Sequence, residues 1–387
     1  DYMTETLGPK RAILAVVLAG AMVTYGGVSL FVAFFVLAPM GLALFQAGGV
    51  PRRLLPAAMA LGTSTFTMSA LPGTPAIQNA IPMPFFGTDP FAAPGLGAIA
   101  ALVMFALGMG WLTLAQARAH RSGEGFESRP ARALSAAAPT LAERGPAEAA
   151  AQDVVVRELA TTAREFDPAE IDNGAAPSTR PGVATAALPL IVVIFVNLIV
   201  SQVVLPRIDA GFLADPRWGG ASLAAVGGVW SVAVALLCAI ATLVALNRGR
   251  FTDLRASVDS GATASVLPVL SVASLVGFGA VVAALPAFAL VREWVLGIGG
   301  GPLVSLAVAT NILAALTGSA SGGMTIALEA LGPTFMGIAA ETGIDPALMH
   351  RVAVIASGTL DSLPHNGAVV TMLAVCGCTH RESYLDI

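Results

Sequence analysis

The sequence predicts an all-α polytopic membrane protein built from two inverted repeats. Three observations support this prediction: the composition, the placement of the charged residues, and two pairs of polar interruptions inside apolar sequence. Of the 387 residues, 56% are hydrophobic and only 11% are charged, whereas soluble domains carry about 25% charged residues. So few charges cannot cover a water-exposed surface, which excludes a cytosolic enzyme, a nucleic-acid-binding protein and a secreted disulfide scaffold.

Eight apolar stretches are long enough to cross a bilayer, which takes about 20 residues. They are 12–51, 54–88, 90–117, 181–206, 218–247, 260–291, 294–328 and 352–379. Of the 44 charged residues, 18 lie between Arg118 and Arg180. We therefore expect a hydrophilic cytoplasmic linker at 119–182, which separates a first-repeat part (1–118) from a second-repeat part (183–387).

The lysines and arginines predict the orientation, because cytoplasmic loops are enriched in them. One assignment places 16 of the 20 basic residues on the cytoplasmic side and leaves only Arg207, Arg217, Arg292 and Arg351 outside. It requires 12–51 to begin and end in the cytoplasm and 294–328 to begin and end outside. Each stretch is then a re-entrant hairpin or a pair of full crossings. His350 and Arg351 are expected to anchor the outer end of the last span.

Two glycine-rich patches and two later polar interruptions form matched pairs. The patches contain Gly26-Gly27 and Gly322-Gly323, where we expect the tips of the two hairpins. About 40 residues after each patch comes a Thr-x-[Ser/Asp]-[Ala/Ser]-Leu-Pro pattern, around Leu71 and around Leu363. Matched spacing with opposite sidedness predicts inverted repeats, each with a hairpin and a broken helix, and such breaks mark the binding site in transporters.

Glycine and proline interrupt backbone hydrogen bonding, which is tolerated at membrane depth only where the freed groups face protein or water. The ends of half-helices then offer N–H donors to an anion, and nearby hydroxyl and amide side chains supply neutral contacts. We expect these residues to contact a small organic anion: Gly26, Gly27, Ser29, Ser69, Thr74, Asn79, Ser319, Ser321, Gly322, Gly323, Thr325, His365 and Asn366.

Asp361 and His365 are the ionisable residues inside the last predicted broken helix. Burying either group is costly unless it is paired or faces a cavity, so such residues are functional candidates. Asp361 is the candidate for proton coupling, and His365 could bind a carboxylate or relay the proton. The structural alternative is that Asp361 caps the second half-helix and that His365 is a neutral, hydrogen-bonded residue. Cys376 and Cys378 are expected to be embedded thiols, and no metal site is predicted.

Several strings resemble the gluconate permease (GntP) family of the ion-transporter superfamily. They include Tyr25–Phe31, Ala70–Pro75, Gln78–Pro82, Val276–Val281, Ser319–Gly323 and Asp361–Ala368. The last two are most similar to the branch that carries 3-hydroxybutyrate-type acids.

The resemblance implies proton-coupled uptake of a small hydroxy-carboxylate across the bacterial inner membrane, with no cofactor. Sodium coupling, ion antiport and an intramembrane enzyme remain alternatives, the last disfavoured because no nucleophile or metal-ligand set is visible. The lipid bilayer and a small anion are the expected partners, and a homo-oligomer is left open. Both the family and the repeat lead us to expect further spans before the first hairpin and after the last broken helix, so that the chain is a fragment.

Overall fold

The computed structural model of the chain describes residues 11–126, 182–218, 222–251, 253–286 and 297–387, together with 8, 220, 290 and 293–295. Most of the predicted linker, 127–181, lies outside the described residues. Within the described ranges the chain is helical and contains no strand.

The first part forms a hairpin, a broken helix and a long helix. Helices α1 (Ala12–Tyr25) and α2 (Leu30–Gly48) make the first hairpin. The broken helix begins with α3 (Leu55–Ala60), continues as a π-helical segment (Leu61–Ala70), and resumes as α4 (Ile77–Ala80) and α5 (Pro82–Phe86). Helix α6 (Pro94–Arg121) follows and runs three residues into the predicted linker.

The second part has three long helices before its hairpin. They are α7 (Val183–Ile199), which continues as a π-helical segment (Val200–Val204), α8 (Leu223–Asn247) and α9 (Leu254–Ala284). The hairpin consists of α10 (Pro302–Thr317) and α11 (Ala320–Thr342). The second broken helix consists of α12 (Pro346–Ser357) and α13 (Gly367–Val375), and a short helix α14 (His380–Ser383) follows.

The exposed surface of the long helices has the character expected of a membrane protein. Five of the described helical segments are long and apolar enough to cross a bilayer. On α6, Leu102 and Leu107 are 68% and 70% exposed. Soluble proteins rarely expose apolar surfaces of this kind. Together with the five long apolar helices, this exposure confirms the prediction of an all-α polytopic membrane protein.

Two apolar cores interlock the two parts of the chain. The first surrounds Phe34 and Phe45 of the first hairpin and includes residues of α3, α6 and α13. The second surrounds Leu306 and Phe335 of the second hairpin and includes Phe86 of α5. The last half of each broken helix therefore packs in the apolar core of the other repeat.

The first hairpin turns where the sequence predicts, and the second does not. The first turn occupies 26–29, between α1 and α2. The second turn lies at Gly318 and Ser319, four residues before the predicted tip at Gly322-Gly323, which lies in the first turn of α11. Gly318 adopts a left-handed φ of +63°, and the Ser319 hydroxyl accepts a hydrogen bond from the Gly322 amide at 3.1 Å. Those two features end α10 and start α11.

Polar contacts at the two ends of the first broken helix show which loops lie at the same end of the bundle. The arrangement agrees with the one that the charge pattern predicts. Near the start of the first broken helix, Arg53 forms ion pairs with Glu124 and with Asp386, so the loops after α2, α6 and α14 share one end. Beyond the other end of the first broken helix, the Thr88 hydroxyl is hydrogen-bonded to His350, and Asp89 accepts a hydrogen bond from Gln202. The open ends of the two hairpins thus lie at opposite ends of the bundle. Their insertion from opposite membrane faces stays a prediction.

Gly323 allows the two helices of the second hairpin to touch. A Cβ atom at Gly323 would lie 2.2 Å from the Ala314 backbone nitrogen, whereas a Cβ at Gly337 of the same helix would meet nothing within 4 Å. We expect Gly323→Ala to lower the free energy of unfolding by about 1–3 kcal/mol through overpacking. Gly337→Ala, the matched control, should be neutral or slightly stabilising. Thermal unfolding in detergent measures both, and equal midpoints would contradict the close packing.

Candidate functional site

The site consists of two helix breaks, each docked on a hairpin turn. The first break, 71–76, interrupts the first broken helix, and the second break, 358–366, separates α12 from α13. A Cβ atom at Gly358 would lie 3.7 Å from the Ser69 Cβ. The start of the second break therefore contacts the residues that precede the first break, and the two broken helices meet inside the bundle.

Side chains from the surrounding helices bond the carbonyl groups that the first break exposes. The Tyr25 hydroxyl donates to the Pro72 carbonyl at 2.6 Å. The Asn197 amide donates to the Gly73 carbonyl at 3.1 Å, and the Ser231 hydroxyl fixes Asn197 by donating to its Oδ1 at 2.9 Å. Asn197 and Ser231 are fully buried. Contacts from α1, α7 and α8 thus hold the first break in place.

Asn79 ties the first break to the second part of the chain. Its Nδ2 donates to the Thr74 carbonyl at 2.9 Å and to the Pro90 carbonyl at 3.0 Å. Its Oδ1 lies 3.1 Å from His350 Nε2, and His350 Nδ1 lies 2.6 Å from the Thr88 hydroxyl. Because Asn79 Oδ1 can only accept, Nε2 donates to it. His350 is therefore a fully buried link between α12 and the first break.

Arg351 is fully buried and bonds three backbone carbonyls of the first repeat. Its Nε and Nη2 donate to the Ala92 carbonyl at 3.1 and 2.9 Å. Its Nη1 donates to the Ser69 carbonyl at 3.3 Å, and Nη2 to the Pro90 carbonyl at 3.4 Å. The prediction that His350 and Arg351 are interfacial anchors is therefore wrong. Both side chains point into the bundle, where His350 bonds Asn79 and Thr88 and Arg351 bonds carbonyls on either side of the first break.

The candidate residues of the first repeat have mainly structural contacts. A Cβ at Gly26 would lie 2.1 Å from Leu190, and one at Gly27 would lie 2.8 Å from Leu236 and 3.3 Å from Pro75, so the first turn packs against α7, α8 and the first break. Ser69 and Thr74 are buried, and Ser69 donates to the Thr65 carbonyl. Ser29 is exposed just before α2.

The second break is open where the first is closed. Ser362, Pro364 and His365 are exposed, and Asp361 is half-buried. His365 Nε2 lies 3.0 Å from the Ala315 carbonyl, at the end of α10. This contact docks the second break on the turn of the second hairpin.

Asn366 holds the second break together. It caps α13 by accepting from the Ala368 amide at 2.7 Å, so the alternative that Asp361 is the cap is wrong. Its Nδ2 donates to the Gly318 carbonyl at 2.7 Å and to Asp361 Oδ1. One buried amide thus connects the candidate coupling carboxylate to the hairpin turn.

The hydroxyl groups predicted on the second hairpin lie at this turn or in the first two turns of α11. Ser319 Oγ is 3.2 Å from Ser321 Oγ, and the Thr325 hydroxyl donates to the Ser321 carbonyl at 2.8 Å. Gly322 and Gly323 lie beside them and are buried, like Ser321 and Thr325. The structure therefore brings Asp361, His365, Asn366 and Ser319 to one polar region, and leaves Gly323 and Thr325 behind it in the hairpin.

Sequence reasoning missed the residues that close the first break, namely Tyr25, Asn197, Ser231, His350 and Arg351. An isolated amide such as Asn197 inside an apolar span was the available signal, because a polar group at membrane depth needs a partner.

We expect Asn79→Ala to destabilise the protein by about 1–3 kcal/mol for each buried group left unbonded. The matched control is Asn247→Ala near the end of α8, where the amide bonds only the preceding turn and Arg250. Thermal unfolding compares the two variants. If Asn79→Ala kept wild-type stability and lost only ligand affinity, the structural role assigned to Asn79 would be wrong.

Comparison with known proteins relates the chain to a transporter. No protein-family model and no solved structure matches it. It is 39% identical over 392 aligned residues to the uncharacterized transporter YxjC of Bacillus subtilis (strain 168), and the alignment covers all of this chain and 76% of the relative. A relative named as a transporter agrees with the prediction that the chain is not an enzyme. The chain therefore belongs to the same family of membrane transporters as YxjC.

Proposed function

We propose that the protein imports a small hydroxy-carboxylate of the gluconate or 3-hydroxybutyrate type together with protons. It would do so by alternating access in the bacterial inner membrane. The resemblance to the gluconate permease (GntP) family supports the substrate class. Asp361, His365 and Asn366, gathered on the turn of the second hairpin, are the observation that carries the proposal.

The second break offers the groups that a hydroxy-carboxylate needs. Nε2 of the exposed His365 imidazole donates to the Ala315 carbonyl, so Nδ1 can donate to a carboxylate oxygen when the ring is protonated. The Ser319 hydroxyl, one residue beyond Gly318, can bond a substrate hydroxyl. Helix α13 begins at Gly367, so its positive dipole end also points to this region and favours an anion.

Asp361 couples proton binding to the geometry of the break. As a carboxylate it accepts a charge-assisted bond from Asn366, which also holds the Gly318 carbonyl. Protonation weakens that bond and loosens the attachment of the hairpin turn to the second break. A substrate anion bound nearby favours the protonated form. Substrate and proton are therefore taken up together, and release of one promotes release of the other.

Sodium coupling and ion antiport remain the rival functions. Freed backbone carbonyls at a helix break are the usual ligands for such an ion. In this chain the carbonyls of the first break already accept bonds from Tyr25, Asn79 and Asn197. This favours protons as the coupling ion and Asp361 as the group that carries them.

Asp361→Asn should abolish proton-driven accumulation, because the amide cannot bind and release a proton, while counterflow exchange of internal for external substrate should persist. Asp345→Asn is the matched control: Asp345 is an exposed cap of α12, and Asn caps a helix as well as Asp does. The measurement is uptake of candidate hydroxy acids into proteoliposomes of the full-length protein, with and without a pH gradient. Wild-type accumulation by Asp361→Asn would remove Asp361 from the mechanism.

A further inference from the structure

The guanidinium of Arg351 is a buried positive charge held by backbone carbonyls. It is bonded to the carbonyl oxygens of Ser69, Pro90 and Ala92 and is 0% exposed. Among the residues that the structure describes, no carboxylate forms an ion pair with it. Asp89, which attracts it at longer range, instead accepts bonds from the Phe91 amide and from Gln202.

A buried charge without a carboxylate partner costs several kcal/mol unless other dipoles stabilise it. Here the stabilisation comes from the end of a half-helix. Ser69 is the second-last residue of the π-helical segment that ends at Ala70, so its carbonyl belongs to the negative end of the helix dipole. The Pro90 and Ala92 carbonyls come from the loop that leads to α6. Three carbonyls that converge on one positive charge resemble the ligand set of a bound cation.

We propose that Arg351 holds the position that a coupling cation takes in transporters with broken helices. In such proteins, unwound carbonyls and the C-terminal ends of half-helices coordinate Na⁺ or H⁺. The guanidinium supplies that charge permanently from α12 of the other repeat. The carbonyls that flank the first break then form an internally neutralised site that binds no ion, and coupling falls on the second break. The role of the second break rests on the proposed function; the position of Arg351 among these carbonyls does not.

Neighbouring contacts fit a permanently filled site. A Cβ at Gly97 would lie 2.4 Å from the Ala70 carbonyl and 3.3 Å from Arg351 Nε, so α6 closes over the guanidinium. In the first break, Gly73 donates its amide to the Pro90 carbonyl at 2.8 Å, which fixes one of the three oxygens. Arg351 is thus a positioning residue: it orders the first break without a direct contact to the polar region of the second.

Three substitutions of Arg351 separate the effect of its charge from the effect of its side-chain volume. Arg351→Lys keeps the positive charge, Arg351→Met keeps much of the length but not the charge, and Arg351→Ala opens a space lined by the three carbonyls. The experiment measures thermal unfolding of the purified full-length protein in sodium, choline and millimolar guanidinium chloride, without any substrate. It therefore reports on the first break even if the carried acid is not the one proposed.

For the wild type and for Arg351→Lys, the unfolding temperature in sodium should equal that in choline. Arg351→Met should have a lower unfolding temperature than Arg351→Lys. Arg351→Ala should be least stable in choline, and guanidinium should raise its midpoint by several degrees but not that of the wild type, because only the variant has an empty site to bind it. If Arg351→Ala does not fold, the Lys and Met variants still decide. Equal stability of the Lys and Met variants, or a specific stabilisation of the wild type by sodium, would overturn the proposal.

Discussion

A helix that stops and restarts inside an apolar bundle frees carbonyl and amide groups that lipid cannot bond. The rest of this structure depends on how those groups are satisfied. At the first break, Tyr25, Asn79, Asn197 and Arg351 donate to the carbonyls around it, and each comes from a different helix. The first break is therefore the point where α1, α4, α7 and α12 are held together. Apolar packing alone would not fix the relative positions of these helices, since lipid competes for the same surfaces.

The two breaks solve the same problem in different ways. The first is closed by buried neutral side chains and one buried cation. The second relies on Asn366 for its cap and its contact with Gly318, and leaves Ser362 and His365 exposed. Related interruptions in the two repeats thus differ in their contacts: the first is held by buried side chains, and the second leaves ionisable and hydroxyl groups exposed. Gly358 lies beside Ser69, so the two breaks are neighbours inside the bundle.

Composition and local chemistry were enough to predict the helical membrane fold and the positions of both breaks. Uncharged stretches mark most of the spans, although α11 continues past the predicted end at 328 to Thr342. The Leu-Pro patterns at Leu71 and Leu363 mark the breaks, because proline removes a donor wherever it occurs. The second hairpin turn was misplaced because a Gly-Gly pair signals either a turn or close packing. At Gly322-Gly323 it serves packing against α10, while Gly318 supplies the left-handed residue.

The role of Arg351 could not be read from the sequence. It lies beside an apolar stretch next to His350, which is the usual pattern of an interfacial anchor. Only the tertiary structure shows that its partners are carbonyls about 260 and 282 positions earlier in the chain. Long-range contacts to backbone carbonyls leave no residue-type signal in the partner sequence, since every residue has a carbonyl. The same reason hides the partners of Tyr25 and Asn197.

Thiol accessibility distinguishes a closed first break from an open second break. Single cysteines at Ser362 and at Thr74 would be introduced into the full-length protein without its native cysteines, and each would be treated with a membrane-impermeant thiol reagent in native membranes of both orientations. We expect rapid labelling at position 362, slowed by a bound hydroxy acid, and no labelling at position 74. Labelling of both positions at similar rates would contradict it.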